Sequence, residues 1–322
     1  MIPKKILLWL LPLLAIVVFV LIMSRGQVEG KTDAWQHDEG FIFGTIYNIT
    51  YQYGVDLQAE IESELKKVDQ EFSMFNEEST VARINRGDSL VERSDMFNEV
   101  YTLAMQVNAD THGAFDITVA PLVNAWGFGF KHEQMPTPEQ VDSLLQIRSQ
   151  MDFAAIAKGY GCDVVARLLE SHDIVNYMVE IGGEVAMRGI NQREEPWRIG
   201  VNKPVDDSLS VNGELQAVLK ATDICLATSG NYRNFYYKGG RKYAHTIDPR
   251  TGYPVQHELL SATVLAKECA TADAYATSFM VLGLDSARLL LDRHPEMKAY
   301  LIYTDEKDEY SVWHSPGMDI EP

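Results

Sequence analysis

The sequence predicts an α+β domain of mixed helices and strands behind an N-terminal membrane anchor. Three observations carry that prediction. Segments with apolar residues at helical spacing and short β-branched or aromatic runs both occur, without the regular βαβ alternation of a doubly wound sheet. Hydrophobic residues make up 46% and charged residues 23% of the 322-residue chain, the balance of a globular protein. Ile6 to Met23 is an uncharged apolar run behind Lys4 and Lys5, close to the ~20 residues a bilayer span needs.

The elements follow in order. Residues 1–26 read as an uncleaved signal anchor, because Ser24-Arg25-Gly26-Gln27 offers no small-x-small cleavage site. Pro12 is tolerable in a membrane helix. No cysteine lies near the run, which excludes a lipoprotein anchor. Lys4 and Lys5 favour an inside N-terminus, so the bulk of the chain faces outward. Residues 27–40 are polar and read as a linker, and 41–322 as one domain. Phe41 to Tyr53 reads as a strand, and Asp56 as the cap of a helix reaching Phe72 on the stripe Leu57, Ile61, Leu65 and Val68. Further helices are predicted over Ser94–Thr111, from Thr137-Pro138, over Ile156–Ser171, Thr271–Leu282 and Asp285–His294. Strands are predicted at Tyr177–Ile181, Trp197–Val201, Leu215–Lys220, Lys242–Ile247, Ala262–Ala266 and Ala299–Tyr303. No internal repeat or low-complexity segment occurs.

Asp and Glu number 46 against 28 Lys and Arg, a net charge of −18. Such a surface repels phosphate backbones, so nucleic acid is not an expected partner. An anionic substrate would need local neutralisation, by a metal or a few placed cations. Cys162, Cys225 and Cys269 are far apart in sequence and form no C-x-x-C, so they read as buried free thiols.

Four segments can carry chemistry, and each also has an ordinary structural reading. Gly113 to Gly129 is dense in Gly, Asp and aromatics, fit for a flat ring system or for a helix end followed by core. In Asp152 to Gly161, Lys158 opens a helix beside glycines, which suits a phosphate or a solvated helix face. In His245 to Pro254, Asp-Pro-Arg-Thr-Gly makes a turn, His245 can exchange a proton near neutral pH, and Arg250 can hold a phosphate. In Thr271 to Thr277, Asp273 and Thr277 share one helix face and offer hard oxygen ligands, which suit Mg²⁺ rather than zinc. The alternative makes Thr271 an N-cap, with Asp273 at the positive end of the helix. Gly182-Gly183 reads as a turn, and Ala227 to Arg233 as a loop or a ligand-binding stretch.

Together, GAFDITVAPLVNAWGFG, AIAKGYGCD, EIGGE, ATSGNYRN, HTIDPRTGYPV and ADAYAT resemble the ApbE family, the FAD:protein FMN transferases. The resemblance runs from Phe43 past Asp273. It implies a T-fold-like domain that transfers FMN from FAD to a Thr or Ser hydroxyl of a partner flavoprotein with Mg²⁺, releasing AMP. The implied FAD contacts are Phe43, Phe75, Ala114, Phe115, Asp116, Asp152, Lys158 and Ile247. The Ala155 carbonyl, Asp273 and Thr277 are the implied metal ligands, and His245 the implied base. Implied acceptors are redox-pump or electron-transfer subunits at the bacterial inner membrane, reached from its periplasmic side. Phe43 stands where the family commonly has Met, Phe75 where it has Tyr, and the Leu145–Met151 connection is short. With water as acceptor the same residues would make an FAD pyrophosphatase, and without turnover an FAD-binding protein.

Overall fold

Antiparallel pairing builds the main sheet throughout. The computed structural model of the protein describes residues 34–128, 135–147, 149–204, 215–231, 235–238, 241–307 and 309–321. The chain opens with β1 (Trp35–Ile42) and β2 (Thr45–Gln52), then α1 (Gln58–Phe72), α2 (Thr80–Asn85) and α3 (Asp95–Asp110). A 3₁₀ turn at Ile117–Val119 leads to α4 (Ala120–Ala125), α5 (Pro138–Leu144) and α6 (Ala157–Ser171). Next come β3 (Tyr177–Ile181), β4 (Glu184–Arg188), β5 (Trp197–Asn202), β6 (Leu215–Ala221), β7 (Ile224–Gly230), β8 (Phe235–Lys238), β9 (Arg241–Ala244) and β10 (Leu259–Ala266). The chain closes with α7 (Cys269–Leu282), α8 (Leu284–Leu291), β11 (Lys298–Thr304), β12 (Tyr310–His314) and β13 (Asp319–Glu321).

The main sheet has eight strands in the order β1-β2-β3-β4-β7-β10-β11-β12, and each neighbouring pair is antiparallel. Strand alternation gives it two apolar faces. Ala227, Val264 and Leu301 face the helices, while Leu226, Leu265 and Ile302 face β5 and β6 of a three-stranded sheet, β13-β6-β5. The result is three layers: helices, main sheet, small sheet. This is the α+β class read from the sequence.

Helices with local caps fall where the sequence puts them. The Ser94 hydroxyl accepts from the Phe97 N–H at 3.0 Å, and Thr137 with Gln140 forms a capping box. Other expectations are revised. The stretch 35–40, read as linker, is the first part of β1, where Asp38 is buried and accepts from the Tyr51 hydroxyl at 2.8 Å. Phe41 to Tyr53, read as one strand, is the end of β1, a turn and β2, because Phe43 at φ 51° and Gly44 at φ 76° form a two-residue turn of primed type. Asp56 accepts from the Gln58 N–H one residue before the cap position of α1, at 2.8 Å. The last long helix ends at Leu291, and α7 begins at Cys269, not Thr271.

Among the described residues no helix is long and apolar enough to cross a membrane. The Ile6–Met23 run and its flanks lie outside the described residues.

The three cysteines, far apart in sequence, meet between α6, the start of α7 and β7. All are buried and unbridged. The thiols of Cys162, Cys225 and Cys269 donate to the carbonyls of Glu184, Lys267 and Leu226 at 3.3, 3.5 and 3.7 Å. Burial pushes the Cys162 thiol up to about 11, and Cys269 is also raised by burial. Such thiols are poor nucleophiles. Ellman's reagent is therefore expected to find no reactive thiol in the native protein and all three in denaturant; fast native labelling would contradict the packing.

Helices α6 and α7 meet backbone to backbone at Gly159 of α6. A Cβ there would sit 2.4 Å from the Cys269 carbonyl oxygen and 2.9 Å from the Ala270 Cα. Both are backbone atoms of α7 and cannot swing aside. Gly159→Ala is expected to cost about 3 kcal/mol, the upper range for overpacking, read from urea denaturation. A neutral result would mean that α6 and α7 can separate freely.

Candidate active site

Neither α6 nor α7 caps itself. Ile156 and Glu268 occupy the two cap positions and make no side-chain cap bond. Each helix is instead capped by a carboxylate from the other. Asp163 of α6 accepts from the Cys269 and Ala270 N–H groups at 2.7 and 2.8 Å. Asp273 of α7 accepts from the Gly159 N–H at 3.1 Å through Oδ2. Both satisfy donors that a helix start leaves open and put negative charge at the positive end of a helix. This arrangement supersedes Thr271 as the cap, since Thr271 lies inside α7.

The exchange has a second effect. In a regular turn the Gly159 N–H would close on the Ala155 carbonyl. It donates to Asp273 instead, and the Ala155 carbonyl accepts no backbone hydrogen bond among the described residues. Asp273 is only 2% exposed. Burial raises its pKa, opposed by the Lys158 ammonium and the Gly159 N–H. Thr277, one turn along α7, has its hydroxyl 3.1 Å from that of Ser229 on β7.

Lys158 Nζ lies 2.6 Å from Glu184 Oε1. Burial disfavours the Lys158 ammonium, but Asp273 and Glu184 outweigh it and raise its pKa. Glu184 opens β4 and is 3% exposed. Burial pushes its carboxyl up to about 7 against the pull of Lys158.

The remaining candidate residues have the following surroundings. Asp152 is half-buried; desolvation raises its pKa, and its Oδ1 accepts from the Ala154 N–H at 2.8 Å. Asp116 Oδ1 accepts from the Thr118 N–H and hydroxyl at 2.8 and 2.7 Å. Ala114 and Phe115 are buried, with the Phe115 ring in the main core. Phe43 packs its ring over Gly161, where a Cβ would come within 2.7 Å of it. Phe75 is 80% exposed, in the loop between α1 and α2. His245 is half-buried, its ring 6.4 Å from that of Phe128. Ile247 is buried with Leu122, Trp126 and Val141. Arg250 is held within its own turn by Asp248, with Nε 2.9 Å from Oδ1. The short connection after Leu145 is tied at Met151, whose N–H and carbonyl both bond the Asn85 amide, at 2.7 and 2.8 Å.

Specific bonds join the segments singled out in the sequence into a ring. The Asp152 N–H donates to the Ile117 carbonyl at 2.6 Å. Gly159 reaches Asp273, and Thr277 reaches Ser229. The Thr246 hydroxyl donates to Asn231 Oδ1 at 2.6 Å, and Trp126 Nε1 donates to the Gly252 carbonyl at 2.7 Å, returning to the first segment. The Gly-Gly turn joins through Lys158 and Glu184. Tyr232 and Arg233, and the Gly129 end of the first segment, lie outside the described residues.

The sequence reading gave no role to Asp163, Glu184 or Gly159, and named Ser229 only as part of the stretch Ala227 to Arg233. Glu184 carries a usable signal, a lone acid heading the apolar run Val185-Ala186-Met187. Asp163 carries little, because its partners are more than a hundred residues away.

Asp273, Thr277 and the Ala155 carbonyl are hard oxygens, and among the described residues no group of three His, Cys, Asp or Glu side chains is placed to hold a metal ion. Mg²⁺ suits such a site, since it takes one or two carboxylates and completes its shell with water and substrate phosphates. The residues fit.

Fold and site together define an α+β protein whose chemistry-bearing segments gather where two helices cap each other beside an antiparallel sheet. The chain belongs to the ApbE family, whose model matches residues 43–301. It is 37% identical over 299 residues to the FAD:protein FMN transferase of Vibrio cholerae serotype O1, covering 84% of this chain and 88% of that one. It is 34% identical over 337 residues to that of Escherichia coli K12, covering 94% of each. Among solved structures, the flavin transferase ApbE from Vibrio cholerae aligns with a TM-score of 0.78 at 33% identity, covering 88% of this chain and 97% of that one. The apo flavinyl transferase ApbE of Pseudomonas stutzeri aligns at 0.77 and 29% identity, covering 88% and 95%.

Asp163 offers a direct test of the shared caps. Burial pushes its carboxyl up to about 7, from 3.8 in the unfolded chain. The folded state thus holds the extra proton, so this group's stabilising contribution is full below 3.8 and is lost as pH rises to about 7. Asp163→Asn is expected to flatten that part of the stability–pH curve. Asp163→Ala, which leaves two buried N–H groups unpaired, is expected to cost about 2 kcal/mol at pH 5 and less at pH 8. Urea titrations at pH 5 and pH 8 check both.

Proposed function

We propose that the protein transfers FMN from FAD to a hydroxyl of a partner protein and releases AMP. The observation that carries this reading is the ring of bonds that gathers the family's segments around Lys158, Asp273 and Thr277. FAD is the substrate, and its pyrophosphate must be held against an overall charge of −18. Lys158 supplies a fixed positive charge for it. Asp273, Thr277 and the Ala155 carbonyl would hold Mg²⁺, which when bound neutralises charge on the phosphate oxygens.

The chain's own residues do the rest. The segment from Ala114 to Asp116, with Phe43, Phe75, Asp152 and Ile247, binds and orients the flavin nucleotide. His245 takes the proton of an acceptor Thr or Ser hydroxyl. That oxygen forms a bond to the FMN-side phosphorus as the bridging P–O bond breaks, and AMP leaves with the bonding electron pair. FMN remains attached through a phosphoester. The Ile6–Met23 run would tether the enzyme to the bacterial inner membrane with the domain on the periplasmic side. Acceptors would be electron-transfer or redox-pump subunits exposed there.

Asp273 also caps α6, so the informative variant is Asp273→Asn, which keeps an oxygen for Gly159 and loses the charge. It is expected to lower transfer by about 10²-fold or more with the thermal melt nearly unchanged. The assay incubates detergent-solubilised protein with FAD, Mg²⁺ and a candidate acceptor, and reads in-gel flavin fluorescence and AMP. Labelling should vanish with EDTA. Full activity in Asp273→Asn would remove it from the metal site, and AMP formed without acceptor would make the protein a pyrophosphatase. His245→Ala should lose about 10²–10⁴-fold in the rate of transfer while FAD binding persists; an unchanged rate would reassign the base.

A further inference from the structure

Glu184 has a partner on one oxygen only. Oε1 lies 2.6 Å from Lys158 Nζ, whereas Oε2 is buried and finds no hydrogen-bond partner among the described residues. Buried carboxylate oxygens are nearly always satisfied, and an orphan in a well-packed site calls for an explanation.

The position is built rather than accidental. Gly182 and Gly183, at φ 64° and 105°, form the two-residue turn that sets Glu184 opposite Ile181 at the head of β4. The Glu184 carbonyl is held from behind by the Cys162 thiol at 3.3 Å. Its side chain is 3% exposed, while that of Lys158 is 30% exposed. Lys158 is thus the more open partner of the pair and Glu184 the enclosed one. Charge points the same way: two buried carboxylates, Asp273 and Glu184, share one ammonium, Lys158. A purely structural ion pair would leave neither the excess carboxylate nor the free oxygen.

We infer that Glu184 is a positioning residue of the transfer site, which fixes Lys158 through Oε1 and offers Oε2 to an O–H donor that arrives with the ligand. The inference rests on the transferase reading. The donor has two possible sources, a water of the metal's hydration shell or a hydroxyl of FAD. Groups that bond the outer shell of a metal site tune affinity without touching the metal.

The test compares the full-length protein with Glu184→Gln, whose amide oxygen can keep the Lys158 bond while its NH₂ replaces the free acceptor. Mn²⁺ binding is read by electron paramagnetic resonance without FAD, and FAD binding by flavin fluorescence in EDTA. A loss of Mn²⁺ affinity of about tenfold with FAD affinity intact identifies the metal's water as donor. A comparable loss of FAD affinity with Mn²⁺ binding intact identifies an FAD hydroxyl. Glu184→Asp keeps the charge and shortens the reach, and should recover part of either loss. Unchanged affinities for both, in folded Gln and Asp variants, overturn the inference while leaving the transferase reading standing. Wild-type protein that binds neither Mn²⁺ nor FAD overturns that reading and this one with it.

Discussion

The structure depends on one exchange: each of two helices gives a carboxylate to the other's N-terminus. Asp163 closes the start of α7, and Asp273 closes the start of α6. The exchange requires the helices to cross within backbone contact, and Gly159 permits it, since any Cβ there would strike the Cys269 carbonyl. Once the crossing is made, much of the centre follows. Asp273 draws the Gly159 N–H away from the Ala155 carbonyl, Lys158 is brought beside two buried carboxylates, and Thr277 faces Ser229 across to β7. The same carboxylate proposed to hold the cation therefore also holds the helix that carries the lysine. Chemistry and fold share one oxygen-rich joint, and the buried thiols pack behind it.

What could be read from the sequence divides along the distance between partners. Ser94 and Thr137 cap helices through N–H groups three residues away, and both helix starts were legible. The cap of α7 comes from Asp163 on a different helix, so the sequence pointed to Thr271, the nearest residue of the right type. The turn at Phe43-Gly44 was hidden because an aromatic residue takes a left-handed conformation more usual for Asn or Gly. The β1 strand was hidden for another reason. Its residues Gln36, His37 and Asp38 look like linker, yet the edge of the sheet accepts polar residues, and Asp38 is satisfied by Tyr51.

The site was legible as a set of residue types and not as an arrangement. Helical spacing alone puts Asp273 and Thr277 on one face, and Lys158 at a helix start follows from the glycines around it. That Ile117 meets Asp152, that Asn231 meets Thr246, or that Trp126 meets Gly252 follows only from the folded chain. Electrostatics was the least legible part. A chain of net charge −18 gives no hint that its one buried ammonium at this joint is outnumbered by carboxylates, because that depends on which acids burial has selected. Arg250 is the converse case. It looked available to a phosphate, and its own turn binds it to Asp248.

The ring of bonds through Ile117, Gly159, Thr277, Asn231 and Gly252 has a consequence best put in the language of networks. A closed cycle differs from a string in that cutting any one link leaves every node connected to every other. Each segment in the circuit is held from two sides, so the failure of one bond is absorbed by the opposite path round it. Two cuts, by contrast, divide the circuit into separate pieces. Tolerance to single lesions and sharp coupling between pairs of lesions are then properties of the circuit itself, independent of the strength of any one bond in it.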